Sequence, residues 1–185
     1  SAALDIRRAF NRYTGGTLTM SAGFNIFDPK YPISRMAEET AQLEARAKDY
    51  QDQYGKKNAI SLFGLEMENG YLTDKHTYSW DIFENKVLGE KYSTIKKLCD
   101  CGVDYGNTFL HNMLYLIRQA EKEKINIARL AYLLARHEPS NKAEDKLKTA
   151  YSNFSHKIYQ WVLKSEDRRQ LITALIIYIY TLRDA

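Results

Sequence analysis

The sequence predicts an α+β chain in which a helix-strand-helix-strand segment is followed by a bundle made of helices alone. Three observations predict it. "TLTMSAGFNIF" (17–27) alternates in polarity and "NAISLFG" (58–64) forms a short apolar run, both within the first 64 residues. From Ser79 onward the apolar period becomes helical, with few glycines and no strand pattern. Finally, "LITALIIYIYTL" (171–182) is apolar on nearly every side, as the central helix of a bundle is.

In chain order, "ALDIRRAFNRYT" places Leu4, Ile6, Ala9, Phe10 and Tyr13 near helical spacing, with Arg7, Arg8 and Arg12 outward, and Gly15-Gly16 ends that helix. The strand over 17–27 sets Leu18, Met20, Ala22, Phe24 and Ile26 on one face. "DPKYP" turns the chain, and Pro32 suits the first turn of a helix over 33–48 with a narrow, alanine-rich stripe. The second strand, 58–64, follows. Residues 65–78 read as a surface linker with a hairpin turn at Asn69-Gly70. Ser79 caps the first bundle helix. Helices are expected over 79–88, 91–101, 106–123, 125–137, 141–164 and 166–183, with Asn141 and Glu144 as a start signal after the break at Pro139. The expected division is therefore 1–64, a linker 65–78, and a helical bundle 79–185.

Composition narrows the function classes. Of 185 residues, 44% are hydrophobic and 27% charged, a globular mix rather than a disordered one. A net charge of +4 is too small by itself to announce a nucleic-acid binder. Cys99 and Cys101 form a lone C-x-C pair, neither a zinc signature nor a disulfide framework, and read as reduced thiols in a cytoplasmic protein. The N-terminal residues carry Asp5, Arg7 and Arg8 and show no signal-peptide pattern, and the run at 171–182 is too short to span a bilayer. His76, His111, His137 and His156 are scattered without ligand spacing, so no metal site is expected. Tyr151, Tyr159, Tyr178 and Tyr180 lie near helical spacing and read as core residues whose hydroxyls reach the bundle edge, with base stacking as the alternative. Lysine and arginine clusters in the second part are interleaved with acids, as on solvated helix faces.

Two strands and two helices do not make a self-sufficient sheet. The leading segment thus reads as one part of a larger layer, completed by further sequence or by another molecule.

The order "IRRAF…LTMSAGF…ISRMAEETAQLEARAK…NAISLF" resembles the segment that follows the catalytic turn in GGDEF-like nucleotide cyclases: a helix, a strand ending in Ser-x-Gly, a helix ending in Ala-Lys, and a strand. Within that superfamily "TMSAGFNIFDPKYPISRMAEE" is most similar to the large subunit of type III (Csm-type) CRISPR effector complexes, whose palm is followed by a C-terminal helical domain. The resemblance implies the end of a second, ferredoxin-like palm domain over 1–64. It implies a parent subunit that makes cyclic oligoadenylate from ATP with Mg or Mn held by a Gly-Gly-Asp-Asp turn. No such turn occurs in this chain, so the chain is expected to be inactive alone, with no catalytic residue and no metal of its own. The family's large subunit also carries a nuclease domain with a His-Asp metal site, which nothing here matches.

By the same resemblance Ser21, Gly23 and Lys48 are the candidate nucleotide-binding residues: a hydroxyl, an approachable backbone, and a point charge for phosphate. The residues themselves also allow a plainer reading, in which the small side chains seat helix 33–48 on the sheet and Lys48 is a solvated helix-end cation. The implied partners are the other subunits of the complex, especially the small helical one, and guide and target RNA through the complex; no membrane is implied. Two alternatives stand beside this reading: a degenerate diguanylate-cyclase-like domain, and a non-enzymatic α-rich adaptor.

Overall fold

The computed structural model describes residues 2–52, 55–64, 66–68, 71–73, 76–101 and 105–182. It divides into two compact units, Ser1–Phe83 and Glu84–Ala185.

In the first unit, α1 (Ala2–Thr14) ends at Gly15 and Gly16, both at positive φ (59° and 75°), the left-handed conformation that glycine adopts without steric cost. β1 (Ala22–Phe24) is shorter than the alternation predicted. The reason lies in the groups that compete for its backbone. The Met20 carbonyl accepts a 2.7 Å hydrogen bond from the Trp80 indole, and the Asn25 side chain accepts one of 2.8 Å from the Ile26 amide. Side chains rather than a strand ladder therefore satisfy the backbone on either side of Ala22–Phe24.

α2 (Ile33–Asp49) begins after Pro32, as expected, and packs on β1. Then come a two-residue ribbon, β2 (Gln51–Asp52) with β3 (Gly55–Lys56), and β4 (Ala59–Leu62). β4 is buried at all four positions, which explains why it reads as an apolar run without alternation. β1 and β4 pair in parallel, Ala22 opposite Ile60 and Phe24 opposite Leu62, with α2 as the crossover. This is the pairing that the helix-strand-helix-strand reading required.

The segment read as a linker carries β5 (Glu66–Glu68) and β6 (Tyr71–Thr73), paired antiparallel; the turn expected at Asn69-Gly70 lies outside the described residues. β7 (Thr77–Ser79) then adds a third strand, giving the order β1-β4-β7 with β7 antiparallel to β4. The Thr77 hydroxyl donates to the Ser61 hydroxyl at 2.7 Å, so both buried polar groups are satisfied. Leu43, Ala47, Ile60, Tyr78 and Trp80 form the core of this unit.

Ser79 caps α3 (Trp80–Ile82), accepting from the Ile82 amide at 3.5 Å. Two helices were expected over 79–101. Instead the chain continues as a π-helix, Phe83–Tyr92, and then α4 (Ser93–Cys99). Gly89 fits this winding: a β-carbon there would lie 3.0 Å from the Glu84 carbonyl oxygen five residues back. Where π turns give way to α turns, carbonyls lose their regular partners. There the Ser93 hydroxyl donates to the Gly89 carbonyl and the Thr94 hydroxyl to the Glu90 carbonyl. A period of 3.6 residues does not report such a segment.

The rest of the second unit is α5 (Gly106–Gln119), α6 (Ile125–Arg136), α7 (Asp145–Leu163) and α8 (Ser165–Thr181). α8 is the central helix anticipated from its composition, with nine buried residues between Gln170 and Ile179. α5 packs on α6 and α8, and α7 packs on α4, α6 and α8. α7 starts at Asp145, later than predicted: Glu144 occupies the cap position in extended conformation and makes no side-chain cap bond. Among the described residues, no helix is long and apolar enough to cross a membrane.

Candidate functional site

The three candidate residues lie along one seam between β1 and the last turns of α2. In a strand, positions two apart share a face, and Ser21 and Gly23 both meet α2. The Ser21 hydroxyl donates to the Ala47 carbonyl at 3.3 Å. Gly23 is closer still: a β-carbon there would lie 2.6 Å from the Glu44 amide nitrogen, 2.7 Å from the Thr40 carbonyl oxygen and 2.8 Å from the Leu43 β-carbon. The backbone of α2 occupies the space that any larger residue would need. Lys48, on the same helix end, pairs its ammonium with Glu44 at 2.7 Å while 54% of its side chain stays exposed. The structure thus engages Ser21 and Gly23 in seating the helix, with Lys48 one residue beyond the Ala47 carbonyl that Ser21 reaches.

At the other end of β1, Glu39 accepts hydrogen bonds from the Asn25 amide at 3.3 Å and from the Tyr31 hydroxyl. That bond to a carboxylate, with some desolvation, holds the Tyr31 phenol above its ordinary range. Asn25, Tyr31 and Glu39 were not singled out in the sequence; their spacing of six and eight residues matches no motif.

In the bundle, sequence reasoning missed Lys91. Its side chain is fully buried, 2.8 Å from the Asp167 carboxylate and 3.0 Å from Glu90, with the ammonium 5.0 Å from the centre of the Trp161 ring. Burial opposes ionisation of Glu90. The hydrogen bond and charge of Lys91, aided by Lys86, outweigh it and hold the carboxyl below its usual range. No local pattern marks a lysine whose partner lies 76 positions away.

The tyrosines divide. Tyr151 and Tyr178 are core residues. Tyr151 donates to the Leu134 carbonyl, and burial raises both phenols, with a hydrogen bond to Cys99 adding to the effect at Tyr178. Tyr159 is 43% exposed on a groove of about 380 Å³ whose lining includes Ala131, Ala135, Glu138, Ser152 and His156. Neither Cys99 nor Cys101 is in a disulfide. Among the described residues, no group of three or more His, Cys, Asp or Glu side chains is placed to hold a metal ion.

The family model described as Cas10/Cmr2, second palm domain, matches residues 1–61, and that described as the second helical domain of the CRISPR RNA silencing complex Cmr2 subunit matches residues 96–184. The chain belongs to the Cas10/Cmr2 family. It is similar to the Cas10/Csm1 single-strand-specific deoxyribonucleases of subtype III-A CRISPR systems: 36% identical to that of Enterococcus italicus over the whole chain and 21% of the relative's length. It is 32% identical to that of Streptococcus thermophilus over 97% of the chain and 22% of the relative, and 34% identical to that of Mycobacterium tuberculosis over 97% and 20%. The chain therefore spans about a fifth of the length of these Cas10 relatives. The palm match takes in β1, α2 and β4 as far as Ser61, and α5 to α8 fall within the helical match.

Proposed function

We propose that this chain is a palm-and-bundle portion of the large subunit of a type III CRISPR effector complex, a subunit whose palms join ATP molecules into cyclic oligoadenylate. The observation that carries the reading is the parallel β1-β4 pair with α2 seated on Gly23, in a segment that matches the second Cas10 palm. In this reading Ser21 and Gly23 support the nucleotide site by fixing the height of α2 over the sheet. Lys48, half exposed and paired with a carboxylate of its own helix, supplies a cation for a phosphate. The Gly-Gly-Asp-Asp turn that would hold Mg or Mn is absent from this sequence, so the metal chemistry belongs elsewhere in the parent subunit. The second unit serves assembly, docking on the small helical subunit and meeting guide and target RNA through the complex.

The test is titration of ATP into the intact large subunit and its Lys48→Met variant. The reading expects weaker ATP binding by the variant at unchanged thermal stability. Equal affinity removes Lys48 from the nucleotide site.

A further inference from the structure

α5 and α6 contain no aspartate or glutamate, although the chain carries 23 acids in 185 residues. The exposed residues of the pair are Asn107, Thr108, His111, Asn112, Tyr115 and Arg118 on α5, and Ile125, Ala128, Arg129, Tyr132, Ala135 and Arg136 on α6. They recur at helical spacing, so each helix presents a single stripe. The helices pack on each other and are joined by a five-residue connection, 120–124, in which Glu121 and Glu123 balance Lys122 and Lys124. Tyr115 lies four residues before the end of α5 and Arg129 four after the start of α6, which places them at matching levels of the hairpin.

Two features set this surface apart from an ordinary solvated helix face. Such faces mix both signs, as Lys148 and Asp145 do on α7 at 3.3 Å. Here the charged residues within the two helices are arginines alone, with the acids Glu121, Glu123 and Glu138 at their ends. Moreover, Tyr115 and Tyr132 are 60% and 69% exposed, an unusual place for large aromatic rings without a partner surface. The core of a protein interface calls for large aliphatic anchors as well, and this face offers Ile125 at its margin and otherwise the small Ala128 and Ala135. Exposed rings alternating with arginines are what successive bases and phosphates require: each ring stacks on a base whatever its identity, and each guanidinium fork meets a phosphate. Arg129 donates one N–H to the Asn126 side chain at 3.0 Å, which fixes its orientation and leaves other donors of the fork for a ligand. The groove between α6 and α7 adds Tyr159 and His156, together with Glu138, beside this face.

We infer that the outer face of α5 and α6 binds single-stranded nucleic acid directly, through Tyr115 and Tyr132 as stacking platforms and Arg118, Arg129 and Arg136 as phosphate contacts. The inference rests on the reading that the bundle works inside a nucleic-acid-bearing complex, and it goes beyond docking by assigning the face to the polynucleotide itself.

The experiment is fluorescence anisotropy of the full 185-residue chain with short labelled oligouridylate and oligothymidylate over a range of salt. Variants are Tyr115→Ala with Tyr132→Ala, Arg129→Gln with Arg136→Gln, and a control pair on α7, Lys146→Gln with Lys148→Gln, all checked for unchanged helicity. The tyrosine pair is expected to weaken binding about tenfold or more. The arginine pair is expected to lower the slope of log affinity against log salt by about 2. The α7 control should change neither. A preference between the two oligomers identifies RNA or DNA as the natural ligand. Undetectable binding by the unaltered chain, or variants indistinguishable from the control, overturns the inference. So does loss of small-subunit capture by the tyrosine pair with oligonucleotide affinity intact, which would make the face a protein interface. The ATP titration at Lys48 reads the other unit, so either proposal can fail without the other.

Discussion

Gly23 approaches Glu44 so closely that a β-carbon on the glycine would lie 2.6 Å from the Glu44 amide nitrogen. The opening between β1 and α2 therefore has no room even for a methyl group. Gly23→Ala is expected to destabilise the first unit by about 1–3 kcal/mol, the range for overpacking a filled site, because helix backbone rather than a mobile side chain stands in the way. Denaturant unfolding followed at Trp80 checks this. An unchanged midpoint would mean that α2 lies farther from the strand than the structure places it.

Lys91 and Asp167 tie the π-helical segment to the start of α8. Removing one partner of such a pair leaves the other charge buried, whereas replacing the buried cation by an apolar chain of similar length removes that problem. Asp167→Ala should therefore destabilise the bundle more than Lys91→Met, by about 1 kcal/mol or more, since Asp167 is itself partly exposed. The two midpoints, measured by urea unfolding of each variant, give the comparison directly. The reverse order would show that the ammonium contributes more through its charge than its burial costs.

Glu90 makes acid stability sensitive to the same residues. Its carboxyl is held below the ordinary value of 4.5 in the fold, so it gives up in the folded chain a proton that the unfolded chain retains. The stabilisation is present above the unfolded value and is lost as pH falls through the lower folded one. Bundle stability should decline as pH falls below the unfolded value of 4.5, and Lys91→Met should reduce this part of the decline. Thermal midpoints of both proteins across that range are the measurement, and parallel curves would refute the coupling.

Tyr151 is buried and donates to the Leu134 carbonyl across from α7 to α6. Tyr151→Phe keeps the ring contacts with Phe154 and Tyr105 and removes only the hydroxyl. A cost of about 0.5–1.5 kcal/mol is expected from the lost hydrogen bond and the carbonyl left behind. Calorimetric unfolding of the variant checks it, and a neutral outcome would place a water at Leu134.

How far the sequence could be read depended on the range of the interactions involved. The β1-β4 pair, α2 after Pro32, and α8 as the central helix were legible because local periodicity and turn residues specify them. β7 escaped because Thr77–Ser79 is strand only through its pairing with Ala59–Ser61, and its last residue doubles as a helix cap. The π-helix escaped because its winding depends on Gly89 and on two hydroxyls that take up displaced carbonyls. At the seam, Ser21, Gly23 and Lys48 were found as a set. Their packing duty was visible only as the plainer of two readings, until the distance from Gly23 to α2 was known. Lys91 and the exposed tyrosines of α5 and α6 needed coordinates, since burial of a lysine and exposure of an aromatic both run against what residue type suggests.

In the proposed function the first unit holds one side of a site at which ATP is polymerised. Its most direct test is the yield of cyclic oligoadenylate from a target-RNA-activated complex whose large subunit carries Ser21→Tyr, with assembly and thermal stability verified. A yield at least about tenfold lower is expected, since a phenol ring at that position would displace the end of α2 and Lys48 with it. Synthesis at the unaltered rate would contradict it.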